Sequence, residues 1–477
     1  MNVEERKLRL EAMTVLAHRE AENAVGIERS FLPLPSHRLA LRPEIVIVRG
    51  GRGAGKSALF KLLSQLRTTP RIRAYFDDER LPEATWIEAF AQSMDHPQDS
   101  VLDKFAETQG EEGLRAFWMA HLLLRIVEEQ PGLVEVPADL LAMWMSHRSD
   151  PDRWVPLAQA RLGAVSSALD QAERELSRRG QMIFATYDHL DRIGTFSPMI
   201  RRRYVASLLA LWLSLSNRYQ KLRAKIFLRE DLLDAGELGF PDASKLRARS
   251  VSLDWDVESL YRATVRHMAG SSPELLAWLQ GIEHGFVLEE RPDVGWMPGS
   301  MSESVQKAFA DRLAGEVMGA GARKGYTYRW IPNHLQDAQT RVVPRSILVL
   351  LGEAAKEALK HPLSSGPRLI TPPDLAAALI ETSRARAGEI GEEYKLVMRL
   401  KNLEGMHLLL QPEQVIARVG QPADGEKPGL TTDGRAVLDE LVRLGVIAIR
   451  SDGRVDVPDI YRFGFGILRK GGVARPR

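Results

Sequence analysis

The chain has 477 residues, of which 44% are hydrophobic and 27% are charged, and it contains no cysteine. This composition is ordinary for soluble globular proteins, the length allows two to four domains, and the lack of cysteine excludes disulfides and cysteine-ligated metal clusters. Basic and acidic residues nearly cancel, 65 against 63, so no charge excess indicates a dedicated nucleic-acid coat. Because the first residues lack the apolar core of a signal peptide and no apolar run is long enough for a membrane span, we expect a cytoplasmic protein with no membrane partner.

Residues 1–40 are mostly polar and predict an N-terminal helical extension that ends in a proline-containing connection. Residues 41–255 then show apolar, β-branched runs separated by helical stretches. This alternation predicts an α/β core with a parallel sheet of about five strands. The predicted strands are residues 45–48, 71–76, 182–187, 225–228 and 250–253. The long interval at about 80–180 has helical periodicity at 113–129 and 157–179, which predicts a helical insertion.

Strand signals fade after Asp256, and residues 256–365 predict a helical domain with helices at 257–269, 302–318 and 345–359. Residues 361–373 are rich in proline, glycine and serine and predict a linker. In the last segment, 366–477, an amphipathic helix at 432–444 precedes two short strands around Ser451-Asp452-Gly453. A helix followed by a two-stranded wing is typical of a winged-helix domain.

A glycine-rich loop separates the first predicted strand from a helix. Its sequence is Gly50-Gly51-Arg52-Gly53-Ala54-Gly55-Lys56-Ser57, followed by Ala58, and it fits the phosphate-loop pattern G-x-x-x-x-G-K-[ST]. Glycines let successive backbone N–H groups turn toward phosphate oxygens, and the start of the helix adds its positive dipole end. Lys56 would reach the β- and γ-phosphates of ATP, and the Ser57 hydroxyl would hold Mg²⁺. The alternative is a glycine-rich turn without a ligand.

A second acid is expected at the end of an apolar strand, where it holds the metal. Residues 182–187 form such a run and end at Asp188, which we therefore assign to Mg²⁺ together with Ser57. The alternative is that Asp188 only caps the following helix.

The phosphate loop and the strand ending in Asp188-His189-Leu190-Asp191-Arg192 together resemble the additional-strand P-loop NTPases. The nearest patterns are those of the STAND class, the KAP class and the origin-recognition-like AAA+ proteins, and the resemblance extends from Arg42 to Trp255. It implies an α/β P-loop NTPase core with a helical lid. It also implies an ATP-driven switch whose sheet carries the phosphate loop and the metal acid on neighbouring strands.

The chain departs from these families directly after Asp188. They usually carry a second acid there, which orients the attacking water, whereas this chain has His189. His189 could accept the proton, and Asp191 is the alternative base. A further alternative is that His189 has no catalytic role and is a surface helix residue. ATP binding is therefore better supported than fast hydrolysis.

The resemblance also implies two arginine contacts to the nucleotide. Arg229, after the fourth strand, stands where relatives place a sensor, although pairing with Glu230 or Asp231 is the alternative. Arg345 resembles the sensor-two arginine of the lid, although a solvent-exposed arginine at a helix start is the alternative. Either Arg247 or Arg249 could reach into a neighbouring subunit.

The C-terminal segment could bind DNA or dock a protein. Its wing has Arg450 and Arg454, and residues 469–477 form a basic tail, but acidic residues dilute this charge. Aromatic residues at 461, 463 and 465 could stack on a base or a partner, or pack in the core.

These observations favour an ATP-binding, slowly hydrolysing molecular switch that controls a partner effector or self-associates. The resemblance places such proteins in bacterial conflict systems, including antiphage defence. The alternatives are a DNA-remodelling or DNA-loading ATPase and a nucleotide-stabilised scaffold.

Overall fold

The computed structural model describes residues 1–18, 26–194, 197–233, 244–292, 294–426 and 429–470. Its contacts divide the chain into two compact units. The first comprises Pro33–Gly51 and Gly55–Asp254, and the second comprises Met1–Leu32, Arg52–Ala54 and Trp255–Arg477. The finer division into domains at residues 40, 255 and 365 stays a prediction.

The first unit contains a parallel sheet of five strands, as predicted. In chain order the strands are β1 (Ile47–Arg49), β2 (Ala84–Phe90), β3 (Met182–Tyr187), β4 (Leu222–Leu228) and β5 (Ser250–Ser252). They are arranged β2-β3-β4-β1-β5, and every neighbouring pair is parallel. Because β4 lies between β1 and β3, the expectation that the phosphate loop and the metal acid follow neighbouring strands is wrong.

The predicted strand at 71–76 is also wrong, since Thr69–Phe76 is a helix. Pro70 stands in its first turn, where proline favours a helix start, and the buried residues Ile72, Tyr75 and Phe76 follow helical spacing. The second strand is instead Ala84–Phe90, so the helical interval begins after Phe90 and not near residue 80.

Helices surround this sheet and fill the interval between β2 and β3. Their bounds are Pro35–Ala40, Lys56–Leu66, Thr69–Phe76, Asp99–Thr108, Glu111–Glu129, Ala138–His147, Pro151–Ala160, Leu162–Arg179, Pro198–Arg218 and Lys245–Ala248. Three tryptophans of the interval, Trp118, Trp144 and Trp154, are fully buried. Aromatic side chains bury large apolar areas, so this cluster is the centre of the first unit's core.

The second unit is mainly helical. Its α-helices are Val3–Thr14, Val257–Ala269, Pro273–Gln280, Glu303–Leu313, Thr327–Leu335, Pro344–Leu359, Pro372–Glu393, Pro412–Val419, Gly434–Arg443 and Asp459–Arg462. An antiparallel hairpin of β6 (Leu288–Arg291) and β7 (Gly295–Pro298) was not predicted, because the polar residues of β6 show no apolar alternation. None of the helices that the structure describes is long and apolar enough to cross a membrane.

The C-terminal part has the predicted winged-helix order. The helices Pro412–Val419 and Gly434–Arg443 precede a short antiparallel pair, β8 (Ala448–Ile449) and β9 (Val455–Asp456). Tyr461 and Phe465 are buried, which is the core-packing alternative for these aromatics. The basic tail from residue 471 onward lies outside the described residues.

Candidate phosphate-binding site

The phosphate loop connects β1 to the helix Lys56–Leu66, as predicted. Gly53 has φ 83° and Gly55, the residue before the helix, has φ 99°. Glycine adopts this left-handed region without the steric cost that a Cβ imposes. The two glycines are therefore required by the path of the loop, which delivers the chain to the helix start at Lys56.

The Lys56 ammonium lies against its own loop. Its Nζ atom donates to the carbonyl oxygens of Gly50 at 2.8 Å and of Gly51 at 3.1 Å. A lysine ammonium is a compact point charge on a flexible stem. The side chain can therefore exchange these carbonyl oxygens for phosphate oxygens without any change of the backbone.

Asp188 follows the last residue of β3 and is only 4% exposed. Burial raises the pKa of its carboxyl, opposed by the nearby His189 and by a hydrogen bond from the Ser57 hydroxyl. Within the described part of the chain, its Oδ2 atom has no hydrogen-bond partner. A buried carboxylate oxygen without a donor is costly unless a cation or another donor reaches it.

The pair of Ser57 and Asp188 fits a Mg²⁺ ion. The described residues contain no cluster of three or more histidine or acidic side chains that could hold a metal on its own. Mg²⁺ is commonly held by one or two protein oxygens, with water and substrate phosphates as the remaining ligands. The Ser57 hydroxyl and the Oδ2 atom of Asp188 match that requirement.

His189 does not lie on a helix, so the alternative that it is a surface helix residue is wrong. It is a turn residue with φ 60°, and its side chain is 16% exposed. Its Nδ1 atom is 3.8 Å from the Oδ2 of Asp188, and its ring meets the Phe60 ring edge-on at 6.3 Å between centroids. The imidazole is therefore held between Asp188 and the helix that follows the phosphate loop.

Arg229 lies at the end of β4 between two acids. Its guanidinium donates twice to the Asp231 carboxylate, at 3.1 and 2.8 Å, and its Nη1 is 3.9 Å from the Oδ2 of Asp191. The ion pair with Asp231 is the alternative that the sequence offered. It does not remove Arg229 from the site, since Asp191 lies on the turn that carries Asp188.

Arg345 is in the second unit, in the first turn of the helix Pro344–Leu359. It is not a free solvent arginine, because its Nη1 donates to the Oε1 of Glu389 at 3.2 Å. A Cβ atom on Gly53, a residue of the same unit, would stand 3.4 Å from the Cβ of Arg345 and 3.3 Å from the Cγ2 of Val343. Glycine at position 53 therefore also provides the space for this close approach.

The two arginines suggested as contacts to another subunit differ in their surroundings. Arg249 donates to the side-chain oxygen of Asn217 at 2.7 Å, whereas Arg247 is exposed on the short helix Lys245–Ala248. Sequence reasoning did not single out Glu389, which accepts from Arg345, or Arg386, which donates to the carbonyl oxygen of Arg52 at 3.2 Å. They lie three residues apart on the helix Pro372–Glu393, and this spacing on a charged helix is too common to single out.

The wing arginines are paired with acids. Arg450 and Arg469 both donate to Asp456, which is fully buried, and Arg454 donates to Asp452. The exposed helix Gly434–Arg443 is likewise balanced. Its Arg435 pairs with Asp439, and its Arg443 pairs with Glu440. Phosphate contact depends on uncompensated positive charge, so these five arginines offer little of it.

No protein-family model matches the chain, and no curated protein matches it. Several solved structures are similar at low identity. The Aeropyrum pernix ORC2 protein, in ADPNP–ADP complexes, is 13% identical, with a TM-score of 0.41, over 88% of this chain and 85% of that chain. A Walker-type ATPase of Pyrococcus abyssi is 12% identical, with a TM-score of 0.37, over 90% and 94%. The Aeropyrum pernix ORC1 protein in complex with DNA is 13% identical, with a TM-score of 0.34, over 91% and 92%. Because these scores are low, we assign the P-loop NTPase fold from this chain's own sheet and loop.

Proposed function

We propose that this protein binds ATP with Mg²⁺ and hydrolyses it slowly, as a molecular switch that controls a partner. The observation that supports this most is the pairing of an intact phosphate loop with the buried Oδ2 atom of Asp188, which has no hydrogen-bond partner among the described residues. A loop of this kind supplies N–H donors and one ammonium to phosphates, and the buried acid supplies a place for the accompanying cation.

Each residue has a separate part in this proposal. The backbone of residues 50–55 and Ala58 at the helix start would cradle the phosphates, and Lys56 would neutralise the terminal ones. Ser57 and Asp188 would hold Mg²⁺, which supplies charge neutralisation between the phosphates. Arg345 would add a guanidinium beside Gly53, and Arg229 would act through the charged turn that includes Asp191.

Slow hydrolysis follows from the groups available to orient water. His189 is held in a left-handed turn beside the metal acid, and Asp191 lies 3.9 Å from the Arg229 guanidinium. A carboxylate paired with an arginine is less free to contact the attacking water, and an imidazole is an uncommon base for this step. Either residue could act as the base that orients the attacking water, but we expect hydrolysis with either one to be slow.

We propose a protein partner, or self-association, for the C-terminal winged helix. Arg450, Arg454 and Arg469 are paired with acids, which favours a surface for protein docking over one for DNA phosphates. Control of an effector in antiphage defence is our hypothesis for the setting, and it depends on the motif resemblance alone. Binding of duplex DNA, by a remodelling or loading ATPase, is the second candidate, and the basic tail is its only strong feature.

Titration calorimetry with ATP, with and without Mg²⁺, tests the proposal directly. We expect saturable binding that needs Mg²⁺ and is lost in Lys56→Ala. ATPase rates with and without duplex DNA then separate the two candidates. Strong stimulation by DNA would favour the loading ATPase, whereas indifference to DNA supports the protein-controlled switch. Absence of ATP binding by the folded wild-type chain would refute the proposal.

A further inference from the structure

One carboxylate in the second unit is shared by two arginines. The Oε1 atom of Glu389 accepts a hydrogen bond from Arg345 at 3.2 Å, and its Oε2 atom accepts one from Arg386 at 3.2 Å. The three side chains are 21%, 27% and 14% exposed, respectively, so the cluster is only partly open to water. Both oxygens of Glu389 are thus occupied by guanidinium groups.

The same cluster also holds a residue of the phosphate loop. Arg386 donates to the carbonyl oxygen of Arg52 at 3.2 Å, and the Arg52 guanidinium donates to the carbonyl oxygen of Glu389 at 3.1 Å. Arg52, Gly53 and Arg345 belong to one compact unit, and Arg345 lies beside Gly53. The arginine bound by Glu389 is therefore adjacent to Gly53, one residue of the phosphate-loop motif.

Phosphate and carboxylate oxygens compete for the same donors. Guanidinium binds both through parallel N–H groups, and a phosphate with more than one negative charge is a strong acceptor. Arg345 cannot direct the same N–H groups at Glu389 and at a phosphate together. We infer that Glu389 is a positioning residue that holds Arg345 in the absence of nucleotide and competes with bound phosphate for it. This inference rests on the proposed function and adds a residue that sets its ATP affinity.

The expected effect is modest. Ion pairs exposed to this degree contribute little, because water screens them and both side chains lose freedom. Releasing Arg345 from Glu389 should therefore tighten ATP binding by about two- to fivefold, which corresponds to the upper range of such pairs.

A double-mutant cycle on the full chain tests the inference. The dissociation constant for ATP with Mg²⁺ is measured for wild type, Glu389→Gln, Arg345→Ala and the double variant. We expect Glu389→Gln to bind ATP more tightly in the wild-type background and to have no effect in the Arg345→Ala background. The matched control is Glu392→Gln, which removes the same charge one turn away, where the carboxylate pairs with Arg52 and not with Arg345. It should change the affinity less than Glu389→Gln.

Three results would overturn the inference: no gain in Glu389→Gln, an equal gain in Glu392→Gln, or a gain that persists without Arg345. If Glu389→Gln is not folded by circular dichroism, Glu389→Asp tests the same point, because its shorter arm keeps the charge but weakens the contact with Arg345. If ATP binding is lost in Lys56→Ala but Glu389→Gln does not change the dissociation constant for ATP in either background, this inference alone is refuted. Failure of the wild-type chain to bind ATP would refute both the inference and the proposed function.

Discussion

The Nδ1 atom of His189 lies 3.8 Å from the Oδ2 atom of Asp188, the one oxygen of that carboxylate without a hydrogen-bond partner among the described residues. The two groups are adjacent in the chain, but the left-handed backbone at His189 turns the imidazole back toward the acid. A metal ion bound by Asp188 would therefore lie within a few ångströms of the His189 imidazole, the candidate base.

We expect Lys56→Ala to abolish measurable ATP binding, because it removes the ammonium that meets the phosphates while leaving the loop backbone intact. The side chain donates to carbonyl oxygens of its own loop, and water can donate to these oxygens in the variant, so the fold should be retained. Titration calorimetry measures binding, and thermal unfolding checks the fold. Lys61→Ala, on the same helix, is the control and should bind ATP normally.

Substitutions of Asp188 and of the candidate bases His189 and Asp191 should have different effects on ATP binding and on hydrolysis. Asp188→Ala should weaken Mg²⁺-dependent ATP binding and hydrolysis together, since it removes the metal ligand itself. His189→Ala should leave binding intact and lower turnover about a hundredfold if the imidazole is the base. If Asp191 is the base, Asp191→Asn should show that loss instead.

Restoring an acid after Asp188 gives a further test. We expect His189→Glu to raise the ATPase rate above that of wild type, because a carboxylate would stand where the resembling families keep theirs. Glutamate tolerates a φ of 60° less well than histidine, so thermal unfolding must accompany the assay. A brisk wild-type rate that neither His189→Ala nor His189→Glu changes would show that the base lies elsewhere.

Much of the sheet could be predicted because its strands are short, apolar and buried. Met182–Tyr187 was predicted to the residue, and the phosphate loop gave β1 and its helix. β2 is not evident from the sequence because Glu88 interrupts its apolar pattern, whereas the alternating residues 71–76 resemble a strand. For a short run, periodicity alone does not distinguish a strand from a helix, and here Pro70 was the better signal.

The site was predictable where a motif carries it and not where distant residues meet. Lys56, Ser57 and Asp188 follow from local patterns. The contact of Arg345 with Glu389 joins residues 44 positions apart, and no local pattern specifies which of many glutamates faces that arginine. The pairing of Arg469 with the buried Asp456 likewise joins residues 13 positions apart.

A truncation that tests the role of the C-terminal tail must retain Arg469. That residue donates to Asp456, and removing it leaves a fully buried carboxylate with Arg450 as its remaining arginine. We expect Arg469→Ala to lower the free energy of unfolding by about 2–3 kcal/mol, somewhat less than the loss of a sole buried partner. Truncation before Gly471 spares this pair and should leave stability unchanged.

The same truncation tests DNA binding. If the tail contacts phosphates, loss of its two arginines should weaken duplex binding and reduce the salt slope by about 2. A mobility-shift series over salt concentration measures both. Equal binding by the full chain and the truncated chain would assign any DNA affinity to another surface, and no binding by either would favour a protein-docking winged helix.

The final prediction concerns two buried histidines in the core of the first unit. His96 and His121 are 2% and 0% exposed, and their rings stack with 5.3 Å between centroids. Burial lowers the pKa of His96, although Glu88 at 3.4 Å opposes this, and burial together with His96 and Arg125 holds the pKa of His121 well below its usual value. Both rings are therefore neutral in the folded chain at neutral pH.

The sign of the pH dependence follows from these lowered pKa values. In the unfolded chain each histidine takes up a proton as the pH falls through about 6.5, whereas the folded chain does so only at lower pH. The unfolded state binds more protons in this window, so stability falls as the pH drops below about 6.5, by at most about 1.4 kcal/mol per pH unit for each histidine.

His121→Phe, which keeps an aromatic ring among Phe117, Trp144 and Trp154, should remove about 2 kcal/mol of the loss between pH 7 and pH 5. Urea unfolding followed by tryptophan fluorescence at the two pH values measures this difference. His361→Gln changes an exposed histidine and should keep the wild-type dependence. An unaltered pH dependence in His121→Phe would show that the acid sensitivity of the unit arises from other groups.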